Sequence, residues 1–358
     1  MNSAPAQDAP AWIGFAALPR AMGGPAGRAR LRQELEDFVV DEDLGFAPDG
    51  EGEHQLLWVE KRGANTEWVG RQLAAFAGLP QQAVSWAGLK DRHAVTRQWF
   101  CVHTGVKGGP DWPALVSDEF AVLEAHHHRR KLRPGYLAGN RFRIRLRGFE
   151  GDREALCQRL DAVARQGVPN YFGEQRFGRG EGNLHRAQAL FAGEGRKAPR
   201  HLRGLWLSAA RSQLFNQVLA LRVERKNWDR PLAGDCLQLA GSNSFFLAEA
   251  PDADLMARVL AADLHPSGPL CGRGVSAAKG EAAGLEAAAL AGFEPWVQGL
   301  AAAGMEQERR PLRLMPADWS WDWVQDADLE IAFRLPAGAF ATAVLRELVE
   351  WDQGAGEE

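Results

Sequence analysis

The sequence predicts an α+β protein with mixed and antiparallel strands, interrupted by an insertion. Strand patterns dominate the first third of the chain, helical patterns dominate the middle, and strand patterns return near the C-terminus. Runs of strands and runs of helices that are segregated in this way are typical of α+β folds. The chain has 358 residues, which is enough for about two domains.

The first structured segment follows a lead-in, residues 1–28, that is rich in Ala, Pro and Gly and is predicted to be flexible. Residues 38–40 and 55–60 are apolar runs that predict short strands. A helix then begins at Asn65 or Thr66, since a side-chain oxygen there can accept a hydrogen bond from the first turn. This part of the chain therefore predicts a small sheet with one helix.

The middle and the end of the chain follow the same two periodicities. Helical spacing alternates with short apolar strand runs, and Gly and Pro mark the loops. The predicted elements are helices at 152–166, 208–226 and 281–303, strands at 236–239, 244–247, 312–315 and 329–333, a Gly/Pro loop at 263–276, and a last helix opened by residues 335–340.

A basic block without acidic residues lies between His126 and Phe149, with eight Arg or Lys side chains. Within it, residues 141–147 alternate between arginine and apolar side chains, which is the period of a strand. The four arginines form either a charged face on an edge strand or a platform that contacts phosphates. The phosphate-contacting interpretation is supported by the basic residues just upstream, which are Arg129, Arg130, Lys131 and Arg133.

Composition excludes several classes of protein. The net charge of −4 does not indicate a general nucleic-acid binder, so any basic surface must be local. The four cysteines are scattered, which disfavours a disulfide framework and indicates a reducing compartment. No apolar run approaches the length of a membrane span, and the first 25 residues do not resemble a signal peptide. We expect a soluble cytoplasmic protein.

Three consecutive histidines, residues 126–128, raise the question of a metal site. Adjacent side chains on a strand or loop point in different directions, and no nearby Cys or carboxylate completes a ligand set. We therefore expect no metal there.

The most distinctive polar stretch surrounds Asp91, which lies among Lys90, Arg92 and His93 with apolar residues on both sides. Neighbouring cations favour the charged form of a carboxylate. Such an aspartate suits the role of an ionised nucleophile, charge stabiliser or weak base better than that of a general acid. Composition alone leaves a second interpretation open, a salt-bridge cluster in a surface turn between two strands.

Residues 88–98, reading GLKDRHAVTRQ, closely resemble the signature loop of the tRNA pseudouridine synthase D family. Two other stretches resemble the same family: residues 131–142, KLRPGYLAGNRF, and residues 170–178, NYFGEQRFG. Residues 212–216 and 335–340 are more weakly similar. The matches are long, independent and in the family's order, and they cover most of the chain beyond the lead-in.

The resemblance implies a pseudouridine synthase catalytic domain at residues 29–165 and 315–358. It also implies a family-specific α/β domain, inserted at residues 166–314. The implied reaction is the isomerisation of a uridine in tRNA, at position 13 for this family, to pseudouridine. The glycosidic bond breaks, the uracil turns over, and C5 is joined to C1′. The resemblance implies tRNA as the partner, with no cofactor, no metal and no obligatory protein partner.

The matching positions also imply roles for single residues. Asp91 matches the catalytic aspartate, while Phe38, Asn140, Phe142 and Phe340 match positions that contact the target nucleotide. A base in structured RNA must leave its stack before it reacts, and aromatic rings can then stack on it. Without the resemblance, each phenylalanine is as well explained by core packing, and the asparagine by a turn.

The cations next to Asp91 are expected to keep it ionised and to hold nearby phosphates. These residues, Lys90, Arg92 and His93, join the upstream basic residues as candidate RNA contacts. The sequence departs from the family pattern at residues 126–128, where mixed residues are more common, and at Tyr136, where His is frequent.

Other classes of function remain to be weighed. A non-catalytic RNA-binding or tRNA-chaperoning protein would keep the basic block and the aromatics but would not need Asp91. A phosphatase-like hydrolase needs a second carboxylate two residues on, where this chain has His93. A glycoside hydrolase needs a paired carboxylate, which the run at 88–98 does not offer.

Overall fold

The computed structural model describes residues 11–105, 108–133, 135–194 and 197–353. Its helices are α1 (Thr66–Phe76), α2 (Arg153–Gln166), α3 (Gly182–Phe191), α4 (Arg200–Glu224), α5 (Ala253–Leu260), α6 (Gly280–Ala289), α7 (Glu294–Ala302) and α8 (Ala341–Leu348). Its strands are β1 (Gly27–Leu31), β2 (Phe38–Asp43), β3 (His54–Arg62), β4 (Val84–Trp86), β5 (Val95–His103), β6 (Phe120–His128), β7 (Gly139–Gly151), β8 (Val168–Pro169), β9 (Asp235–Leu239), β10 (Phe245–Ala248), β11 (Leu264–Leu270), β12 (Glu308–Pro311), β13 (Arg313–Leu314), β14 (Ala317–Gln325), β15 (Asp328–Pro336) and β16 (Glu350–Gln353).

The chain forms two compact units, each assembled from separate segments. The first unit takes its described residues from Met1–Pro25, Asp161–Met315 and Ala339–Glu347. The second takes them from Ala26–Leu160, Pro316–Gly338 and Leu348–Glu358. The assignment of a catalytic domain and an inserted domain stays a prediction.

The predicted lead-in falls partly outside the described residues, which begin at residue 11. Beyond that point Phe15 and Leu18 are buried in the core of the first unit. Burial of these two apolar side chains ties the described part of the lead-in to that core. The first strand, β1, then begins at Gly27.

The second unit contains a mixed sheet of ten strands among its described residues. The order is β14-β15-β7-β2-β5-β3-β6, with β1, β4 and β16 paired to its members. Strands β2 and β5 run parallel, whereas β7 is antiparallel to both β2 and β15. The strands predicted at 38–40, 55–60 and 329–333 are confirmed as β2, β3 and β15.

Helix α1 covers part of one face of this sheet, and its boundaries follow from local chemistry. The Asn65 side chain accepts hydrogen bonds from the backbone N–H groups of Glu67 and Trp68, which confirms the predicted N-cap. Val69 and Leu73 are fully buried in the cluster that lies between the helix and the strands. We call this side of the sheet the helix-covered face.

Strand β7 confirms the predicted alternation but is an interior strand, bonded to β15 on one side and β2 on the other. The edge-strand interpretation of residues 141–147 is therefore wrong. Ile144 and Leu146 are buried, whereas Arg141 and Arg143 are exposed on the opposite face. On that face Arg145 pairs with Glu330 of β15 at 3.4 Å.

The first unit combines a four-stranded sheet, ordered β10-β9-β11-β12, with most of the helices. Helix α4 is its longest and contributes Trp206, Leu214 and Phe215 to the core. The helix predicted at 208–226 is confirmed, although it begins earlier, at Arg200. Among the helices that the structure describes, none has the length and the apolar character needed to cross a membrane.

Two further sequence predictions were wrong, both at prolines. The predicted loop at 263–276 contains strand β11, which pairs with β9 over its first half and with β12 over its second. Partners on both sides and nearly complete burial outweigh the low strand propensity of Pro266 and Pro269. Pro336 ends strand β15 rather than opening the last helix, which begins at Ala341.

A buried ion pair within the first unit provides a test of its stability. Arg222 and Asp235 lie 2.9 Å apart with side chains 3% and 1% exposed. We expect Arg222→Met to lower the free energy of unfolding by about 3–5 kcal/mol, because Asp235 is left as a buried charge without its cation. Urea unfolding measures this change.

The matched control is Arg258→Met, which breaks an ion pair with Asp263 whose side chains are 40% and 53% exposed. We expect a loss below about 1 kcal/mol there. Equal losses in the two variants would contradict the importance of burial at Arg222.

Candidate active site

The loop that carries Asp91 connects β4 to β5 and is held by buried polar side chains. We call residues 88–94 the Asp91 loop. Gln98 donates to the Gly88 carbonyl at 3.3 Å and accepts from the Thr66 hydroxyl at 2.9 Å. The same hydroxyl accepts from the backbone N–H of Lys90 at 3.1 Å. Because Thr66 and Gln98 are buried, this network fixes the first half of the loop.

The second half of the loop is held by Lys61, whose side chain is fully buried. Its ammonium group donates to the main-chain carbonyl of Asp91 at 2.7 Å and to that of Ala64 at 2.9 Å. Burial lowers the pKa of Lys61 to about 8, while the Asp91 charge opposes this shift. Lys61 thus fixes the backbone of Asp91 and leaves the carboxylate to other partners.

The Asp91 carboxylate pairs with Arg32, whose guanidinium lies 3.2 Å from Oδ2. The Arg32 side chain is 7% exposed and that of Asp91 is 34% exposed. The same guanidinium lies over the Phe38 ring, 4.3 Å from its centre. Arg32 also has a left-handed backbone with φ of 58°, a strained conformation for a residue with a side chain. Arg32 therefore links the carboxylate to an aromatic side chain.

The cations next to Asp91 in sequence have other partners. Lys90 forms an ion pair with Glu42 at 2.5 Å, and both side chains are buried. Burial raises the pKa of Glu42, and the Lys90 charge opposes that shift. Arg92 is exposed and donates to the Gly63 carbonyl at 3.2 Å. Arg32, which pairs with the Asp91 carboxylate, comes from the β1–β2 connection instead of from the flanking sequence.

A row of aromatic rings extends from Arg32 across the helix-covered face. Phe38 lies edge-on to Phe142, with ring centres 6.2 Å apart. Phe142 stacks on Phe333 at 5.4 Å, and Phe333 stacks on Trp319 at 5.5 Å. Two of the predicted nucleotide contacts, Phe38 and Phe142, are therefore neighbours of each other, and Phe38 also contacts Arg32 of the Arg32–Asp91 pair.

Asn140 lies on the same strand as Phe142, two residues away, and is adjacent to Glu42 of β2. Its side-chain oxygen is buried and has no hydrogen-bond partner among the described residues. A buried acceptor without a donor is costly, so its retention fits an acceptor kept for a ligand.

The predicted contact Phe340 belongs to the first unit. There its ring lies 5.9 Å from that of Phe172, and the Arg176 guanidinium lies 5.7 Å from its centre. Gly173 allows the close approach, because an added Cβ would lie 3.0 Å from the Phe340 ring.

The upstream basic residues are exposed on the loop after β6. Arg129 follows His128, which pairs with His54 at the start of β3, whereas Lys61 lies at the end of β3. Along β3, His54 and Lys61 are seven residues apart, which is roughly 24 Å in an extended strand. Arg129 and the Asp91 loop are therefore far apart within one unit.

The other candidates of this loop, Arg130, Lys131 and Arg133, share its exposure, and Pro134 lies outside the described residues. Lys131 donates to the Gln82 carbonyl at 3.4 Å. The partly exposed His93 lies in the Asp91 loop itself. Ser85 donates to the Leu132 carbonyl at 3.0 Å, and Leu132 packs in one cluster with Ala87, so this part of the basic loop lies beside the segment that leads into the Asp91 loop.

The three consecutive histidines have local partners. His126 contacts Glu124 at 2.8 Å, and His128 contacts Asp49 at 2.8 Å. In the part of the chain that the structure describes, no cluster of three or more His, Cys, Asp or Glu side chains could hold a metal ion.

Sequence reasoning missed Arg32, Lys61, Phe333 and Trp319. Arg32 and Lys61 reach Asp91 from segments 59 and 30 residues away. No local pattern marks them. Phe333 could be identified as a site residue only from the strand register, because it lies directly opposite Phe142 across the β7–β15 pair.

A family model described as tRNA pseudouridine synthase D matches residues 20–198 and 184–348. A relative of that name from Methylococcus capsulatus is 51% identical over 339 residues, which is 95% of this chain and 96% of the relative. Another from Aeromonas hydrophila is 49% identical over 331 residues, 92% of this chain and 93% of the relative.

A solved structure described as a putative tRNA pseudouridine synthase D from Methanosarcina mazei has a similar fold. Its TM-score is 0.68 with 23% identity, and the match covers 92% of this chain and 95% of that one. At this identity the likeness concerns the fold alone. It confirms the predicted α+β class.

The buried position of Lys61 predicts a pH dependence of stability. The pKa of Lys61 falls from 10.5 in the unfolded chain to about 8 in the fold, so the folded protein binds fewer protons between these pH values. Its contribution to stability therefore rises with pH across that window. Relative to Lys61→Met, we expect the wild type to gain up to about 3 kcal/mol in the free energy of unfolding.

Urea unfolding from below pH 8 up to pH 10.5 measures this difference. Lys279→Met, at an exposed lysine, is the control and should show no such pH dependence. A wild-type-minus-mutant difference that stays constant with pH would contradict the desolvation of Lys61.

Proposed function

Because the chain belongs to the tRNA pseudouridine synthase D family, we propose that it converts uridine 13 of tRNA to pseudouridine, with Asp91 as the catalytic residue. The glycosidic bond between N1 and C1′ breaks, the uracil rotates, and C5 bonds to C1′. N1 gains the proton that C5 loses, so the reaction is a balanced isomerisation.

The arrangement around Asp91 is the observation that carries this proposal. Attack on C1′, attack on the uracil ring, and removal of a ribose proton all require an ionised carboxylate. The Arg32 guanidinium lies 3.2 Å from Oδ2 of Asp91, and the Asp91 side chain remains 34% exposed. The loop beneath it is held by Lys61, so the carboxylate is positioned before substrate arrives.

The neighbouring rings support a flipped nucleotide as the substrate form. Removal of a base from its stack costs a few kcal/mol, and stacking on Phe142 or Phe38 offsets that cost. The unpaired oxygen of Asn140 can accept from the uracil N3–H. Phe340, in the first unit, is a further aromatic position that we propose contacts the nucleotide. Lys90, already paired with Glu42, acts mainly on the loop.

The proposed partner is tRNA, and the proposed location is the cytoplasm, where tRNA is the substrate. The exposed basic loop after β6, with Arg129, Arg130, Lys131 and Arg133, contacts tRNA outside the target nucleotide in this proposal. Arg129 already forms an ion pair with Glu51, so its share of the affinity is smaller.

Asp91→Asn tests the proposal directly, since it removes the charge and keeps the size of the side chain. We expect the wild type to form pseudouridine at position 13 of unmodified tRNA. The variant should form none detectable while its dissociation constant for tRNA changes less than about threefold, as binding rests on other residues. Mapping of pseudouridine and a filter-binding assay measure the two quantities.

The matched control is Asp41→Asn, which removes a carboxylate that pairs with Arg97 elsewhere in the same sheet. This variant should retain activity. If the wild type binds tRNA but forms no pseudouridine in any tRNA, a non-catalytic RNA-binding protein replaces the proposed enzyme.

A further inference from the structure

Two arginines of the first unit lie beside the same aromatic ring and have no acidic partner among the described residues. The Arg310 guanidinium lies 4.2 Å from the centre of the Phe172 ring, and that of Arg176 lies 5.6 Å from it. Within the described chain, neither guanidinium forms a salt bridge, and their hydrogen bonds end on Ser208 and Asn170. Two positive charges thus share one small region without compensation.

Burial makes this arrangement unfavourable in the free protein. It lowers the pKa of Arg310 to about 9, with a further decrease from the Arg176 charge, and it lowers the pKa of Arg176. Three buried arginines of this unit face a carboxylate: Arg222 pairs with Asp235, Arg309 with Glu286, and Arg346 with Glu347. A fourth, Arg313, is alone and donates to His265 and to two main-chain carbonyls. Arg176 and Arg310 differ from all four because two cations lie beside one ring, which indicates that they are kept for a ligand of negative charge.

Two unpaired polar atoms support a ligand at this place. The Nε atom of Arg176 is buried and has no hydrogen-bond partner among the described residues. The Thr342 hydroxyl, in a side chain that is 6% exposed, also lacks one. It lies beside Gly173, since a Cβ added to that glycine would come within 2.6 Å of the Thr342 oxygen. A phosphate group offers acceptors to both.

We propose that Arg176 and Arg310 bind a backbone phosphate of the tRNA beside Phe172 and Phe340. Guanidinium groups match the geometry of phosphate with paired N–H donors, and aromatic rings at the same place suit an adjacent base or ribose. This inference rests on the proposed function, because that function supplies the RNA. The alternative is a purely structural role, in which the two cations hold Phe172 in the core.

Salt dependence separates the two roles. A cation that neutralises a phosphate releases counterions, so its loss reduces the slope of log K against log salt concentration by about 0.7–0.9. We expect Arg176→Gln, in the Asp91→Asn background, to bind tRNA roughly tenfold more weakly and with this smaller slope. Titrations between about 50 and 200 mM salt measure both quantities.

Three further variants complete the experiment. Arg176→Lys keeps the charge and should retain the slope, whereas Arg310→Gln should reduce it as Arg176→Gln does. Arg273→Gln is the control, because that exposed arginine already pairs with Glu306. Arg176→Gln should melt at the same temperature as its parent or higher, since a desolvated charge has been removed. If one Gln variant fails to fold, the other gives the same slope test.

An unchanged slope in a Gln variant that melts at a lower temperature would overturn the proposal in favour of a structural role. The melting temperature in the presence of inorganic phosphate provides a second test. If phosphate raises the melting temperature of the wild type but not of Arg176→Gln, while the tRNA slope stays unchanged, the site binds free anions and not RNA. Failure of the proposed function is seen separately, because the wild type then forms no pseudouridine, whatever the salt dependence of its tRNA binding.

Discussion

The hydrogen bond from Lys61 to the Asp91 carbonyl is the contact on which the rest of the candidate active site depends. A fully buried ammonium group is unfavourable unless its donors are used, and here two carbonyls accept from it. One of them belongs to the residue proposed to react. The remaining contacts of that residue, above all Arg32 on its carboxylate, require the backbone position that Lys61 sets.

The sheet of the second unit explains how distant segments meet at this loop. Parallel β2 brings Phe38 next to the start of β5, and antiparallel β7 brings Phe142 beside β2. Arg32 then bridges the ring of Phe38 and the Asp91 carboxylate. Charge and aromatic surface are therefore combined in one place by strand register. The first unit repeats that combination independently, with two arginines beside Phe172.

The sequence predicted features whose cause is local and missed those whose cause is a distant partner. The cap at Asn65, the alternation of β7 and the position of Asp91 in a loop all follow from neighbouring residues. The partner of the carboxylate was not predictable, because Arg32 lies 59 residues away and the nearer Lys90 is drawn to Glu42. Strand β11 was missed for the same reason: its two neighbouring strands, rather than its proline-rich sequence, determine its conformation.

The central claim is that Lys61 positions Asp91 for reaction, and single-turnover kinetics with Lys61→Met test it most directly. A displacement of the reacting group by about 1 Å costs on the order of 100-fold in rate. We expect a loss of that size in the rate of pseudouridine formation, with the dissociation constant for tRNA unchanged. A variant that reacts at the wild-type rate, or one whose loss is entirely in tRNA binding, would contradict the claim.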